Sequence, residues 1–282
     1  MSHEILYVSD LDGTLLNDHA NLSDYTKEII NCLIKQGVKF TYATARSYSS
    51  ASQILNGLNL AIPAITYNGA FFVKQEDGEI LESVQFAQDT IWYLKEAFQK
   101  HKLSPLVYSI LDGRERVSWI KGCETKGILR YLETRKDDPR LLAVSNEEKL
   151  FEGNIFYFTM IGERESLDLM RESLDLQEQG TFGFRYLFQE EIYYSGEYWL
   201  EIMPREATKA EGVRRLKEVL GCDQVVCFGD GINDIPLFEI ANQAYAVENA
   251  VFELKRLATS IIGNNTQDGV ARWFVEQNIV LK

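Results

Sequence analysis

The sequence predicts an α/β fold, a parallel-sheet core interrupted by an inserted α+β domain. Three observations predict it. Short apolar runs alternate with amphipathic helical segments over residues 1–83. The pattern then changes to hairpins mixed with helices. After Pro204 the alternation returns. The expected core is therefore discontinuous, 1–83 with 205–282, around an insertion at 84–204.

Ile5-Leu6-Tyr7-Val8 is an apolar run of buried-strand type. Ser23 is placed to cap a helix that puts Ile29, Ile30, Leu33 and Ile34 on one face and stops at Gly37. A strand over 38–43 follows, then a helix carrying Ala51, Ile54, Leu55 and Leu58, then a strand over 64–67. This is the rhythm of βαβ units. Residues 71–81 read as a hairpin turning at Asp77-Gly78. A helix from Asp89 carries Ile91, Leu94 and Phe98, and strands over 106–111 and 117–120 pair around Asp112-Gly113. Next come a helix over 123–132, a polar stretch, a strand over 155–160 and a helix holding Leu167, Leu169, Met170 and Leu174. Aromatic-rich strands at 182–188, 192–194 and 198–203 close the insertion. A helix over 209–220 turns Val213, Leu216 and Leu220 inward. After it come a strand over 225–228, a glycine loop and a helix start at Ile235-Pro236. Strands over 244–247 and 260–262 then alternate with helices.

Composition narrows the function. The chain has 282 residues, long enough for two domains at roughly 150 residues each. With 45% hydrophobic and 25% charged residues, it is not a disordered, collagenous or coiled-coil chain. No apolar run approaches the ~20 residues of a membrane helix. Met1-Ser2-His3-Glu4 is neither basic nor followed by a signal-type apolar block, so a cytoplasmic protein is expected. The net charge of -13 argues against non-specific nucleic-acid binding and against an anionic membrane surface. A small anionic substrate, which feels only the local field of its pocket, stays open. The four cysteines form no C-x-x-C pair and the three histidines are scattered, so no zinc site is indicated and reduced, mostly buried thiols are expected.

Two acidic loops carry the chemistry. Asp10-Leu11-Asp12-Gly13-Thr14-Leu15 directly follows an apolar strand, at the end where open α/β sheets bind ligands. In an extended chain, positions i and i+2 point the same way, so Asp10 and Asp12 are placed to share a crevice. Close carboxylates invite a cation, a shared proton or both. An Asp-rich turn or helix cap would read similarly. Gly229-Asp230-Gly231-Ile232-Asn233-Asp234 follows a second apolar strand and adds two more acids. Four acids at two strand ends suit a hard cation, and oxygen-only ligands point to magnesium. A dinucleotide fingerprint is excluded because Asp234 stands where the third glycine belongs. Thr44-Ala45-Arg46 ends another strand and offers a hydroxyl and backbone amides to phosphate oxygens, although an ordinary strand-to-helix cap has the same look. Lys209 opens a helix, where its charge opposes the helix dipole; it suits an anion site or is a solvated lysine.

In order, Asp10-Leu11-Asp12-Gly13-Thr14, Thr44-Ala45-Arg46, Lys209 and Gly229-Asp230-Gly231-Ile232-Asn233-Asp234 resemble the four motifs of the haloacid dehalogenase (HAD) superfamily. The insertion resembles the large α+β cap of its Cof-type phosphatase branch. Tyr67-Asn68-Gly69-Ala70 and Asp268-Gly269-Val270-Ala271 are further matches. Ala45 departs from the branch's usual glycine, and Glu211 and Glu248 stand near places that are usually small or neutral.

The resemblance implies a Rossmann-like HAD core with a cap and a magnesium-dependent phosphatase acting on small phosphorylated metabolites, sugar phosphates above all. It implies Asp10 as nucleophile and metal ligand, and Asp12 as acid and base. It also implies Asp12 (through its backbone carbonyl), Asp230 and Asp234 as further metal-site residues. Thr44, Arg46, Lys209 and Asn233 would hold the phosphoryl group with the amides of Leu11 and Ala45. Tyr186, Phe188, Tyr193, Tyr194 and Trp199 are candidate cap residues facing the substrate, or else cap core. A monomer or small homo-oligomer is expected. The rival readings are a sugar phosphomutase, a non-catalytic phospho-sensor and a structural magnesium site.

Overall fold

The computed structural model describes residues 4–177, 180–190 and 196–279. β1 (Ile5–Ser9) buries four of its five residues, as a strand between two helical layers must. β2 (Lys39–Tyr42) runs parallel to it, with Val8 opposite Thr41. The connecting helix Asp24–Lys35 starts where Ser23 Oγ accepts the Thr26 N–H at 2.9 Å. It ends just before Gly37, whose φ of 84° lets the chain reverse. The next helix, Tyr48–Ile54, is shorter than its apolar spacing suggests and leaves Leu58 outside. Gly57, at φ 94°, turns the chain away first.

β3 (Ala64–Thr66), β4 (Phe71–Val73) and β5 (Ile80–Ser83) form a separate three-stranded antiparallel sheet. The sequence assigns residues 64–67 to the parallel series, but only one parallel bridge, Ala43 with Ile65, links β3 to it. Tyr67 and Asn68 both take left-handed conformations (φ 49° and 54°), and this reverses the chain into β4.

The inserted segment forms a six-stranded sheet from β6 (Leu106–Leu111), β7 (Arg114–Ile120), β8 (Leu141–Val144), β9 (Asn154–Glu163), β10 (Phe184–Glu190) and β11 (Glu197–Pro204). Their order is β10-β11-β9-β6-β7-β8, antiparallel except between β7 and β8. The helices Gln88–Lys100 and Arg164–Asp175 lay Ile91, Leu94, Phe98, Leu167, Met170 and Leu174 against one face of this sheet. β8 and the short helix Glu147–Leu150 lie in what the sequence shows only as a polar stretch. The helix expected from Cys123 begins at Lys126, because Thr125 Oγ1 accepts the Ile128 N–H and caps it. The strand expected at 192–194 lies outside the described residues.

After the insertion come the helix Lys209–Val219 and β12 (Gln224–Gly229), β13 (Gln243–Val247) and β14 (Ser260–Ile262). The main sheet reads β14-β13-β12-β1-β2 and is parallel throughout. Strand order reverses at β1, which makes the carboxyl ends of β1 and β12 the switch point where such sheets hold ligands. The helix Gly269–Glu276 seals one face, with Trp273 and Phe274 each packed on Phe228. Two compact units result, Met1–Ser83 with Ala207–Lys282, and Val84–Glu206. The cysteines are free thiols; Cys222 and Cys227 are buried, Cys32 is half-buried and Cys123 is exposed. Among the described residues no helix is long and apolar enough to cross a membrane.

Candidate active site

The ends of β1 and β12 lie side by side, and the Asp10 N–H donates to the Phe228 carbonyl at 3.0 Å. Beyond Asp10 the chain turns back at once, with the Leu16 N–H on the Leu11 carbonyl at 2.9 Å. Gly13 makes the turn possible with φ 70°, and a Cβ there would run into the Asp230 carboxylate. Thr14 Oγ1 donates to Asp230 Oδ1 at 3.0 Å, which ties the two acidic loops together. In the second loop, Asp234 Oδ2 accepts the N–H groups of Asp230 and Gly231, both at 3.0 Å.

These loops bring Asp10, Asp230 and Asp234 together, with one oxygen from each lying within 4.8 Å of the others. Lys209 enters from the helix start. It is 1% exposed, and its Nζ donates to Asp10 Oδ1 at 2.6 Å and to Asp234 Oδ1 at 2.7 Å. The position that sequence leaves open between a solvated lysine and an anion site is thus a buried ammonium between two acids. Burial pushes the Asp10 carboxyl well above the usual carboxylate range, against the opposing pull of Lys209. Burial, aided by Asp234, raises Asp230 to about 6. Burial works against the Lys209 charge, but Asp10 and Asp234 outweigh it and raise its pKa.

Asp12 stands outside this cluster. Its side chain is half exposed, and both oxygens are held by Arg46. Arg46 also donates from Nη1 to Ser50 Oγ at 3.0 Å. Thr44 is fully buried, with its N–H on the Ile65 carbonyl and its Oγ1 accepting the Arg46 N–H at 3.2 Å. Ala45 is exposed beside it, and the Leu11 side chain is wholly buried. Asn233 donates from Nδ2 to Asn68 Oδ1 at 3.1 Å. Sequence reading gave no role to Thr14, Asn68 or Asn249, whose Nδ2 holds the Gly13 carbonyl at 2.7 Å. Their one sequence signal is that Thr14 lies in Asp10-Leu11-Asp12-Gly13-Thr14 and Asn68 in Tyr67-Asn68-Gly69-Ala70. On the inserted unit, Tyr186 and Phe188 pack against its core and Trp199 lies edge-on to Tyr131. Tyr193 and Tyr194 lie outside the described residues.

The family model of the haloacid dehalogenase-like hydrolases matches residues 7–274, and the chain belongs to that family. The match and the fold place it in the Cof-type branch. A protein of Buchnera aphidicola subsp. Schizaphis graminum, provisionally named a phosphatase, is 27% identical over 281 residues, 98% of this chain and 96% of its own. A 5-amino-6-(5-phospho-D-ribitylamino)uracil phosphatase of Bacillus subtilis is 24% identical, over 95% of this chain and 96% of its own. A haloacid dehalogenase-like hydrolase from Bacteroides thetaiotaomicron superposes with a TM-score of 0.77 at 21% identity, covering 98% of this chain and 100% of its own.

Proposed function

We propose that the chain is a magnesium-dependent phosphatase that hydrolyses small phosphomonoesters, sugar or polyol phosphates in particular, through an aspartyl phosphate on Asp10. The observation that carries this reading is the group of buried Asp10 and Asp234 and half-buried Asp230 around Lys209. Three carboxylates facing one ammonium leave an excess of negative charge in a desolvated place. A divalent cation offsets that excess, and the all-oxygen donor set suits magnesium. Asp10 and Asp230 would hold the ion with the Asp12 carbonyl, while the Asp234 carboxylate steadies the Asp230 loop by accepting the N–H groups of Asp230 and Gly231. The ion supplies charge neutralisation between the anionic nucleophile and the anionic substrate.

Asp10 attacks phosphorus and the ester oxygen departs, leaving the phosphoryl group on the Asp10 carboxylate. Asp12 gives a proton to that oxygen and later takes one from the water that releases phosphate. Lys209, Thr44 and Asn233, with the amides of Leu11 and Ala45, hold the phosphoryl oxygens and stabilise charge in the transition state. The ribityl phosphate in the name of the Bacillus relative supports polyol phosphates as the substrate class.

A panel of phosphomonoesters, assayed with magnesium and with chelator, tests the reading. Phosphate release should need magnesium and disappear in Asp10→Asn. Unchanged turnover in that variant would remove Asp10 as nucleophile.

A further inference from the structure

The Tyr67-Asn68-Gly69-Ala70 turn has no part in the steps above, yet it joins three segments that do. Tyr67 and Asn68 stand consecutively in the left-handed region, a conformation such residues keep only where their surroundings fix it. Here the Asn68 N–H donates to the Thr44 carbonyl at 2.9 Å and the Tyr67 N–H to the Arg46 carbonyl at 3.0 Å. Gly69 lies so close to the backbone of Thr208 that a Cβ would collide with its carbonyl. Thr208 caps the helix that Lys209 opens. Asn68, 1% exposed, accepts the Asn233 carboxamide on its own Oδ1 at 3.1 Å.

We infer that Asn68 is a positioning residue for phosphoryl binding, one that orients the Asn233 carboxamide and ties it to the Thr44 and Lys209 segments. The inference rests on the phosphoryl-holding roles proposed above for those three residues. A primary amide has two N–H donors, and fixing one on Asn68 Oδ1 leaves the other a single direction. A donor oriented in advance stabilises anionic charge better than one that must be ordered on binding. Asn233 meets the phosphoryl group and not the leaving group, so the contribution of Asn68 is independent of the leaving group.

Asn68→Gly in the full chain keeps the left-handed backbone and removes the acceptor; Asn68→Ser, too short to reach Asn233, is the second variant. Inhibition by vanadate is read during hydrolysis of an aryl phosphate and of an alkyl phosphate. Both variants should raise the vanadate inhibition constant and KM roughly five- to tenfold, a typical worth for one neutral hydrogen bond. Any fall in kcat should be alike for the two substrates. In an Asn233→Ala background, Asn68→Gly should add nothing. A merely structural role would lower melting temperature and active fraction in both backgrounds and leave the inhibition constant alone. An unchanged constant in both variants, or an undiminished extra loss on Asn233→Ala, overturns the inference. If Asn233→Ala alone leaves vanadate binding intact, the phosphoryl role of Asn233 is wrong and the inference falls with it.

Discussion

Arg46 grips both carboxylate oxygens of Asp12, its Nε on one and its Nη2 on the other, each at 2.6 Å. Ser50 holds the remaining edge of the guanidinium, so a fork fixed at three points sets the direction of the Asp12 side chain. The pair is partly exposed, so it orients Asp12 more than it stabilises the fold. Arg46→Ala should therefore cut kcat/KM on an alkyl phosphate roughly tenfold or more, part of what proton transfer to the leaving group contributes. An aryl phosphate, whose leaving group departs without a proton, should lose far less in kcat/KM, which reports the first step alone. Equal losses on both substrates would return Arg46 to a phosphate-holding role.

Removing Lys209 leaves Asp10 and Asp234 buried and facing each other without a counter-charge. Lys209→Met should lower stability by roughly 3–5 kcal/mol at neutral pH, the usual result of stripping one partner from a buried pair. Urea melts measure it, and added magnesium should recover part of the loss. Wild-type stability in metal-free buffer would mean that the acids relax into solvent.

Metal affinity should depend on pH. Burial, with Asp234 beside it, pushes the Asp230 carboxyl up to about 6, and a ligating carboxylate must first lose its proton. Calorimetry with magnesium should show affinity falling as pH drops below about 6, with proton release on binding. A flat affinity across that range would exclude Asp230 as a ligand.

On the inserted unit, burial raises Glu201 to about 7, although Tyr157 Oη donates to it at 3.1 Å. An acid whose folded pKa exceeds its unfolded value favours the folded state below the unfolded pKa, and the benefit is lost as pH rises through the folded one. Thermal melts should thus show stability declining between the ordinary glutamate range and about pH 7. Glu201→Gln should flatten that decline. An unaltered pH profile in the variant would place the dependence elsewhere.

Much of the site was readable because its residues sit next to strand ends, and apolar runs ending at Val8 and Phe228 mark those ends. Local chemistry also sufficed for the Ser23 cap and the Gly37 stop. What escaped depends on partners far apart in the chain. Nothing near Lys209 announces that Asp10, 199 positions away, will accept a hydrogen bond from it. The Arg46 fork on Asp12 and the Asn68 contact with Asn233 are likewise products of packing. β8 escaped because four residues beside a parallel neighbour show no period to read.

The most direct measurement is a rapid acid quench of Asp12→Asn turning over an aryl phosphate with magnesium, followed by mass analysis of the peptide that contains Asp10. In the proposed mechanism Asp12 activates the water of the second step, so its loss should let the covalent species accumulate. A mass gain of one phosphoryl group on Asp10 is the expected result. Continued phosphate release with Asp10 unmodified at every quench time would contradict it.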